Sequence, residues 1–316
     1  MATHARPTGQ PRLTAAEFGD LYRRVASRAA WAHGDRGALS ALTAARVLAA
    51  NREVRAGRSV TMAAPVQTAP GPDDPEPARH RMRAWPRTPG DAASGLHFAM
   101  DSVAMNVHGD ADSHVDALCH VIYDGTLHGG VSADTVTADG AGALSIETAH
   151  DGIVGRGVLL DIPRLHGVPW LEPGEHVSAD DLGAAEAAQH VHVGAGDLLF
   201  VRVGHRRRRA ELGAWHTADA RAGLHPCALE FLADRRVSVL GSDGNNDTAP
   251  SCTEGVDFPV HVLAIHAMGL HLLDYLQFED LAPVCEEEGR WSFLCVVAPL
   301  RLPHATGSPV NPIAVL

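Results

Sequence analysis

Two absences narrow the field at once: the sequence has no CxxC pair and no apolar run of bilayer length. Its cysteines, Cys119, Cys227, Cys252, Cys285 and Cys295, are scattered and odd in number, which fits neither a disulfide framework nor a structural zinc knuckle. The longest apolar stretches, such as Val260–Leu273, are broken by histidine and too short to span a membrane. Positive charge is scarce as well. Lys and Arg number 26 against 38 Asp and Glu, a formal net charge of −12, so no basic surface is expected for nucleic acid or an anionic membrane. The polar start of the chain carries no hydrophobic segment of a signal peptide, and the expected location is cytoplasmic. No GxGxxG follows a strand, and there is no P-loop and no GxSxG elbow, which disfavours nucleotide binding and serine-hydrolase chemistry.

What is present is a core and an unusual number of histidines. Hydrophobic residues make up 45% of 316, enough for a sizeable core, and 20 residues are His, the commonest metal ligand near neutral pH. Residues 1–12 read as a tail. Leu13–Ala32 has helical spacing, with Thr14 and Glu17 as a capping box, and Leu42–Ala56 reads as a second helix capped by Thr43. Ser59–Val66 and His97–His108 read as strands, and the six prolines of 69–91 mark a loop or flap. Strands are expected at Val158–Ile162, Leu198–Val203, Val237–Gly241 and Trp291–Pro299. Helices are expected at Ser178–Gln189, His225–Arg235 and Val260–Leu273. The alternation predicts an α/β domain with a mixed sheet over 13–316.

Chemistry concentrates in His108-Gly109-Asp110-Ala111-Asp112-Ser113-His114-Val115-Asp116-Ala117-Leu118-Cys119-His120, which holds three His and three Asp. A divalent metal needs N and O donors that converge. His114 and Asp116 share one face of an extended chain. Asp110 lies four residues before His114, and His120 four after Asp116. A helical turn there would stack His120 back over Asp116.

The segment resembles the signature His-x-Gly-Thr-His-x-Asp-x-Pro-x-His of the cyclase family that includes bacterial kynurenine formamidase and isatin hydrolase. Ser113-His114-x-Asp116 and His120 match. Asp110 stands at the first His, Asp112 at the Gly, Ser113 at the Thr and Leu118 at the Pro. Gly37–Ser40 with Thr43–Leu48, Arg156–Asp161, Gly196-Asp197, Val201–Gly204, Pro259–Asp274 and Thr306–Pro312 extend the resemblance over about residues 31–316. It implies a swivelling β/β/α-type single domain and a homodimer or homotetramer. It also implies a site for Mn2+ or Zn2+ built from Asp110, His114, Asp116 and His120. His120, His261 and Asp274 would serve as proton-transfer groups or, for the latter two, as second-metal ligands.

The activity implied is hydrolysis of a C–N bond in a small cyclic amide or formamide. The alternatives are a metal-dependent cyclase or dehydratase of specialised metabolism, and a non-catalytic metal-binding protein. His261, His266, His271 and Asp274 are expected on one helix, with His271 at the surface. Asp243 reads as turn chemistry, Arg206–Arg209 as a solvated loop, Cys119 as packing, and Trp85 as either a packed residue or a lid.

Overall fold

In the computed structural model the described residues are 12–84, 96 and 98–316. Nine strands form one mixed sheet: β1 (Ser59–Thr61), β2 (His114–Asp116), β3 (Ile153–Asp161), β4 (Leu198–Arg202), β5 (Val239–Ser242), β6 (His271–Asp274), β7 (Ser292–Val297), β8 (Gly307–Pro309) and β9 (Ile313–Val315). Their order is β1-β9-β7-β3-β4-β5-β6-β2-β8. The middle four, β3 to β6, are parallel, and every other pairing is antiparallel.

The order forces the sheet to curl. β8 lies at one edge and β9 next to the other, yet only three residues separate them. Pro309 to Ile313 can reach at most ~14 Å, whereas seven strand spacings on a flat sheet need ~34 Å. The two ends must therefore approach each other. Inside the curl, Val158, Leu159, Leu160, Leu198–Val201, Val239 and Leu240 are fully buried, as parallel strands covered on both faces require. Phe293 lies opposite Gly157, where a Cβ would stand 2.3 Å from its ring, so the glycine makes room for the aromatic side chain.

Helices cover the sheet. Helix α1 (Ala15–Arg28) has the expected capping box, with Thr14 N–H donating to Glu17 at 2.8 Å, and buries Phe18, Leu21 and Val25. Helix α2 (Ala44–Ala50), capped by Thr43, is shorter than expected and passes into a 3-10 turn. Helices α3 (Ile162–His166) and α4 (Ala179–Ala188) follow, the latter with a Ser178–Asp181 capping box. Next come α5 (His205–Leu212) and α6 (Ala228–Arg235). No helix among the described residues is long and apolar enough to cross a membrane.

Three expectations change. Val260–Leu273 is not one helix. A short turn at Pro259–His261 passes into a π segment, Val262–Ala267, and Gly269 at φ +67° turns the chain into β6. A mostly apolar run is compatible with helix or strand, and the glycine decides between them. His271 is therefore a fully buried strand residue, not a surface one. Arg206–Arg209 belong to α5, and Arg206 is buried, donating to the carbonyls of Leu276 (3.0 Å), Ala111 (2.8 Å) and Tyr275. Finally, the proline-rich segment contains a strand, Arg79–Ala84, paired with Met100–Ala104 outside the main sheet. Trp85, like residues 1–11, lies outside the described residues.

Candidate metal centre

Strand register assembles the site. His114 lies opposite Asp274 across β2 and β6, and Asp116 is two residues further along the same face. Both are buried, and Asp116 is 0% exposed. His120 arrives by a tight turn, its N–H donating to Ala117 O at 3.0 Å, rather than by a helix. His261 comes from the Pro259 turn, whose start is held by Asp247. That carboxylate accepts from Val260 N (2.6 Å), His261 N (3.0 Å) and His261 Nδ1 (2.6 Å).

The hydrogen bonds set the tautomers. His114 Nδ1 lies 2.8 Å from the Asp112 carbonyl, to which it must donate, leaving Nε2 directed at Asp116 Oδ1, 3.6 Å away. His261 Nδ1 is directed at Asp247, leaving Nε2 facing Asp116 Oδ2 at 3.5 Å and Asp274 Oδ2 at 3.4 Å. Asp274 accepts from Asn245 Nδ2 at 3.1 Å and from Asn246 Nδ2. Asp116 Oδ2 is buried without a hydrogen-bond partner. Donor atoms of His114, Asp116 and Asp274 lie within 4.8 Å of one another, as do those of His108, Asp116 and His120. Imidazole nitrogens and carboxylate oxygens thus converge on one buried point, where Asp116 Oδ2 has no hydrogen-bond partner. An orphaned carboxylate oxygen among imidazole and carboxylate donors fits a divalent cation.

Electrostatics follow from that convergence. Burial alone would raise the Asp116 carboxyl, but His120, His108, His261 and His114 hold it well below the usual carboxylate range. Burial would lower His261, yet Asp116, Asp247 and Asp274 drive it well above the ordinary value for histidine. His120 is pulled down to about 4 by burial, against the charge of Asp116, so it is neutral at pH 7.

The structure thus brings together His114, Asp116, His120, His261 and Asp274. Asp110 lines the same cavity, but one of its oxygens accepts the Tyr275 hydroxyl at 2.9 Å, and it belongs to neither donor group. Asp243 does not face the cavity. It accepts Val203 N–H at 2.7 Å in the core, while its neighbours Asn245, Asn246 and Asp247 hold Asp274 and His261. Those three carried no signal of their own in the sequence beyond following a strand. His266 bonds Tyr22 Oη at 2.8 Å, away from the site. Cys119 is buried and its thiol is raised to about 11, mainly by burial, so it stays protonated and packs.

The cavity holds about 540 Å3, and its apolar wall is Val121, Ile122, Tyr123, Val256, Phe258 and Val262. No Lys or Arg lines it among the described residues.

Comparison with known proteins places these features in context. The profile of the family described as "Putative cyclase" matches residues 29–246. An isatin hydrolase of Roseibium aggregatum is 27% identical over 141 residues, 43% of this chain. That match spans 51% of the relative, about half its length. The crystal structure of a novel cyclase superposes with a TM-score of 0.82 at 28% identity, covering 93% of this chain and 99% of the other. An isatin hydrolase bound to the product analogue thioisatinate shares the fold, with a TM-score of 0.58 at 21% identity, over 88% of this chain and 97% of that one.

Proposed function

Because the chain belongs to the "Putative cyclase" family, we propose that it is a metal-dependent hydrolase opening a C–N bond in a small, neutral cyclic amide or formamide. The observation that carries this reading is the unpartnered, fully buried Asp116 Oδ2 facing His261 Nε2, beside His114 and Asp274. His114, Asp116 and Asp274 would hold a divalent ion, Mn2+ or Zn2+. Such an ion supplies Lewis acidity, polarising a carbonyl and making water acidic enough to attack at neutral pH.

The side chains do the rest. His120, neutral and buried, accepts a proton from the attacking water. His261, held by Asp247, carries a proton at Nε2 that it can deliver to the leaving nitrogen. The apolar wall accepts a flat or aliphatic ring and keeps bulk water away. The absence of a lining Lys or Arg among the described residues favours a neutral substrate over an anionic one, and one relative's name, isatin hydrolase, supplies the first compound to try.

The test is elemental analysis of the purified chain beside His114→Ala/Asp116→Ala, followed by assay on isatin, other lactams and N-formyl anilines. About one or two equivalents of metal in the wild type, almost none in the double variant, and ring-opened acid or formate as product support the reading. A wild type that stays metal-free after incubation with both ions refutes it.

We propose a homodimer or homotetramer in addition. The paired strands Arg79–Ala84 and Met100–Ala104, outside the main sheet, expose Met82, Met100 and Val103, and Phe98 is exposed beside them, apolar side chains that favour a second copy. Light scattering that reports a monomer at micromolar concentration overturns this.

A further inference from the structure

His108 occupies a seat built for an imidazole. Its ring stacks on His120 with centroids 3.8 Å apart and planes 8° from parallel, and meets His114 edge-on at 5.5 Å. Nδ1 lies 2.8 Å from Asp116 Oδ1, and Nε2 lies 2.8 Å from Thr306 Oγ1. Across from Asp116 in the register is Gly307, where a Cβ would stand 2.8 Å from His108 Cε1. A bare backbone at 307 leaves room for the Val115 carbonyl, 2.5 Å from where a Cβ would stand, as well as for the ring.

Asp110 is held differently. Its carboxylate accepts from Tyr275, whose side chain is fully buried and whose hydroxyl burial and the Asp110 charge keep firmly protonated. Tyr275 is itself pinned. Its backbone sits at φ +53°, and its carbonyl accepts Ser113 Oγ at 2.7 Å and the Arg206 guanidinium.

We infer that His108, not Asp110, supplies the imidazole missing at the head of the motif, and that Asp110 serves instead to position the buried Tyr275, whose ring lies beside that of His114. This rests on the metal-site reading above. Thr306 makes the role chemically possible, because a hydroxyl can donate or accept. When Nε2–H donates to Thr306 Oγ1, Nδ1 is left with a lone pair facing Asp116, in the protonation state a metal ligand needs. The ring need not move far to change from hydrogen-bond donor to ligand, since its donor atom already lies within 4.8 Å of those of Asp116 and His120.

The experiment strips the full-length chain with chelator. It then titrates Co2+, Mn2+ and Zn2+ by calorimetry and follows the visible spectrum of the Co2+ form, for wild type, His108→Ala, His108→Gln and Asp110→Asn. Thermal unfolding in chelator confirms that each variant is folded. The expected result is a loss of at least about 100-fold in affinity and a changed Co2+ spectrum for both His108 variants, with Asp110→Asn within about 10-fold of wild type and spectrally unchanged. Folded His108 variants that bind as tightly as wild type, or an Asp110→Asn variant that weakens as much as they do, overturn the inference and leave the metal site standing. A wild type that binds none of the three ions overturns both.

Discussion

The centre of the sheet and its β2–β6 side are buried to the same degree, and they are opposites in every other respect. Leu159, Leu160, Leu199 and Val201 are 0% exposed, and so is Asp116, with Asp274 at 1% and His114 at 3%. At the centre, burial is the source of stability, at about 25 cal/mol for each Å2 of apolar surface removed from water. On the β2–β6 side, burial strips water from carboxylates and imidazoles and gives Asp116 Oδ2 nothing in return. Exposure alone therefore says nothing about which way a region pulls. One part of the sheet holds the fold together. The other is held in place by it, and would be stabilised further by a bound cation.

The comparison breaks first at Phe293. Replacing it by Ala removes the ring that lies over Gly157, and should cost about 3–5 kcal/mol in urea unfolding. Metal affinity of the folded fraction should be unchanged. Asp116→Asn should do the reverse. Turnover falls by at least about 10³-fold, equivalent to about 4 kcal/mol in the barrier, while the unfolding midpoint in chelator moves far less than for Phe293→Ala. If Asp116→Asn unfolds the chain as readily as Phe293→Ala, the contrast between the two regions is wrong.

Asp243 sharpens it further. Burial, opposed by Arg202, raises this carboxyl to about 6. The folded value exceeds the unfolded value of about 3.9, so the native state holds the extra proton. The stability this group contributes is then lost as pH rises from about 4 to about 6, by up to about 3 kcal/mol. Urea titrations across that window should show a flatter dependence for Asp243→Asn than for wild type, and parallel curves would rule the effect out. The smallest change expected is at the surface. Thr14→Ala removes the α1 capping box and should lower stability by about 1 kcal/mol, read as a small drop in Tm with activity intact.

Much of the frame was legible because its signals are local. Thr14 with Glu17 and Ser178 with Asp181 mark helix starts within four residues. VLLD, LLFVR and SFLCVV announce buried strands by composition. His114 and Asp116 were legible because period-two alternation needs no partner to be read. The rest depends on what lies across a strand or a turn. Asp247 matters because the Pro259 turn brings His261 to it, 14 residues on. His108 matters because Thr306 and Gly307, almost 200 residues later, form its seat. His271 could not be assigned to a strand without weighing Gly269 against an otherwise helical apolar run.

The late arrival of 307–315 has a consequence for synthesis. Every side chain of the donor cluster, from His108 to Asp274, is already in the nascent chain long before β8 and β9 are made. Until those residues clear the ribosome, β2 has a neighbour on one side only, the sheet cannot close on itself, and His108 has neither Thr306 nor Gly307 to rest against. A released chain truncated after residue 300 should thus hold the complete set of donors and yet fail to take up metal. Loading would wait until 306–309 have packed, open to competition among whatever ions are present at that moment.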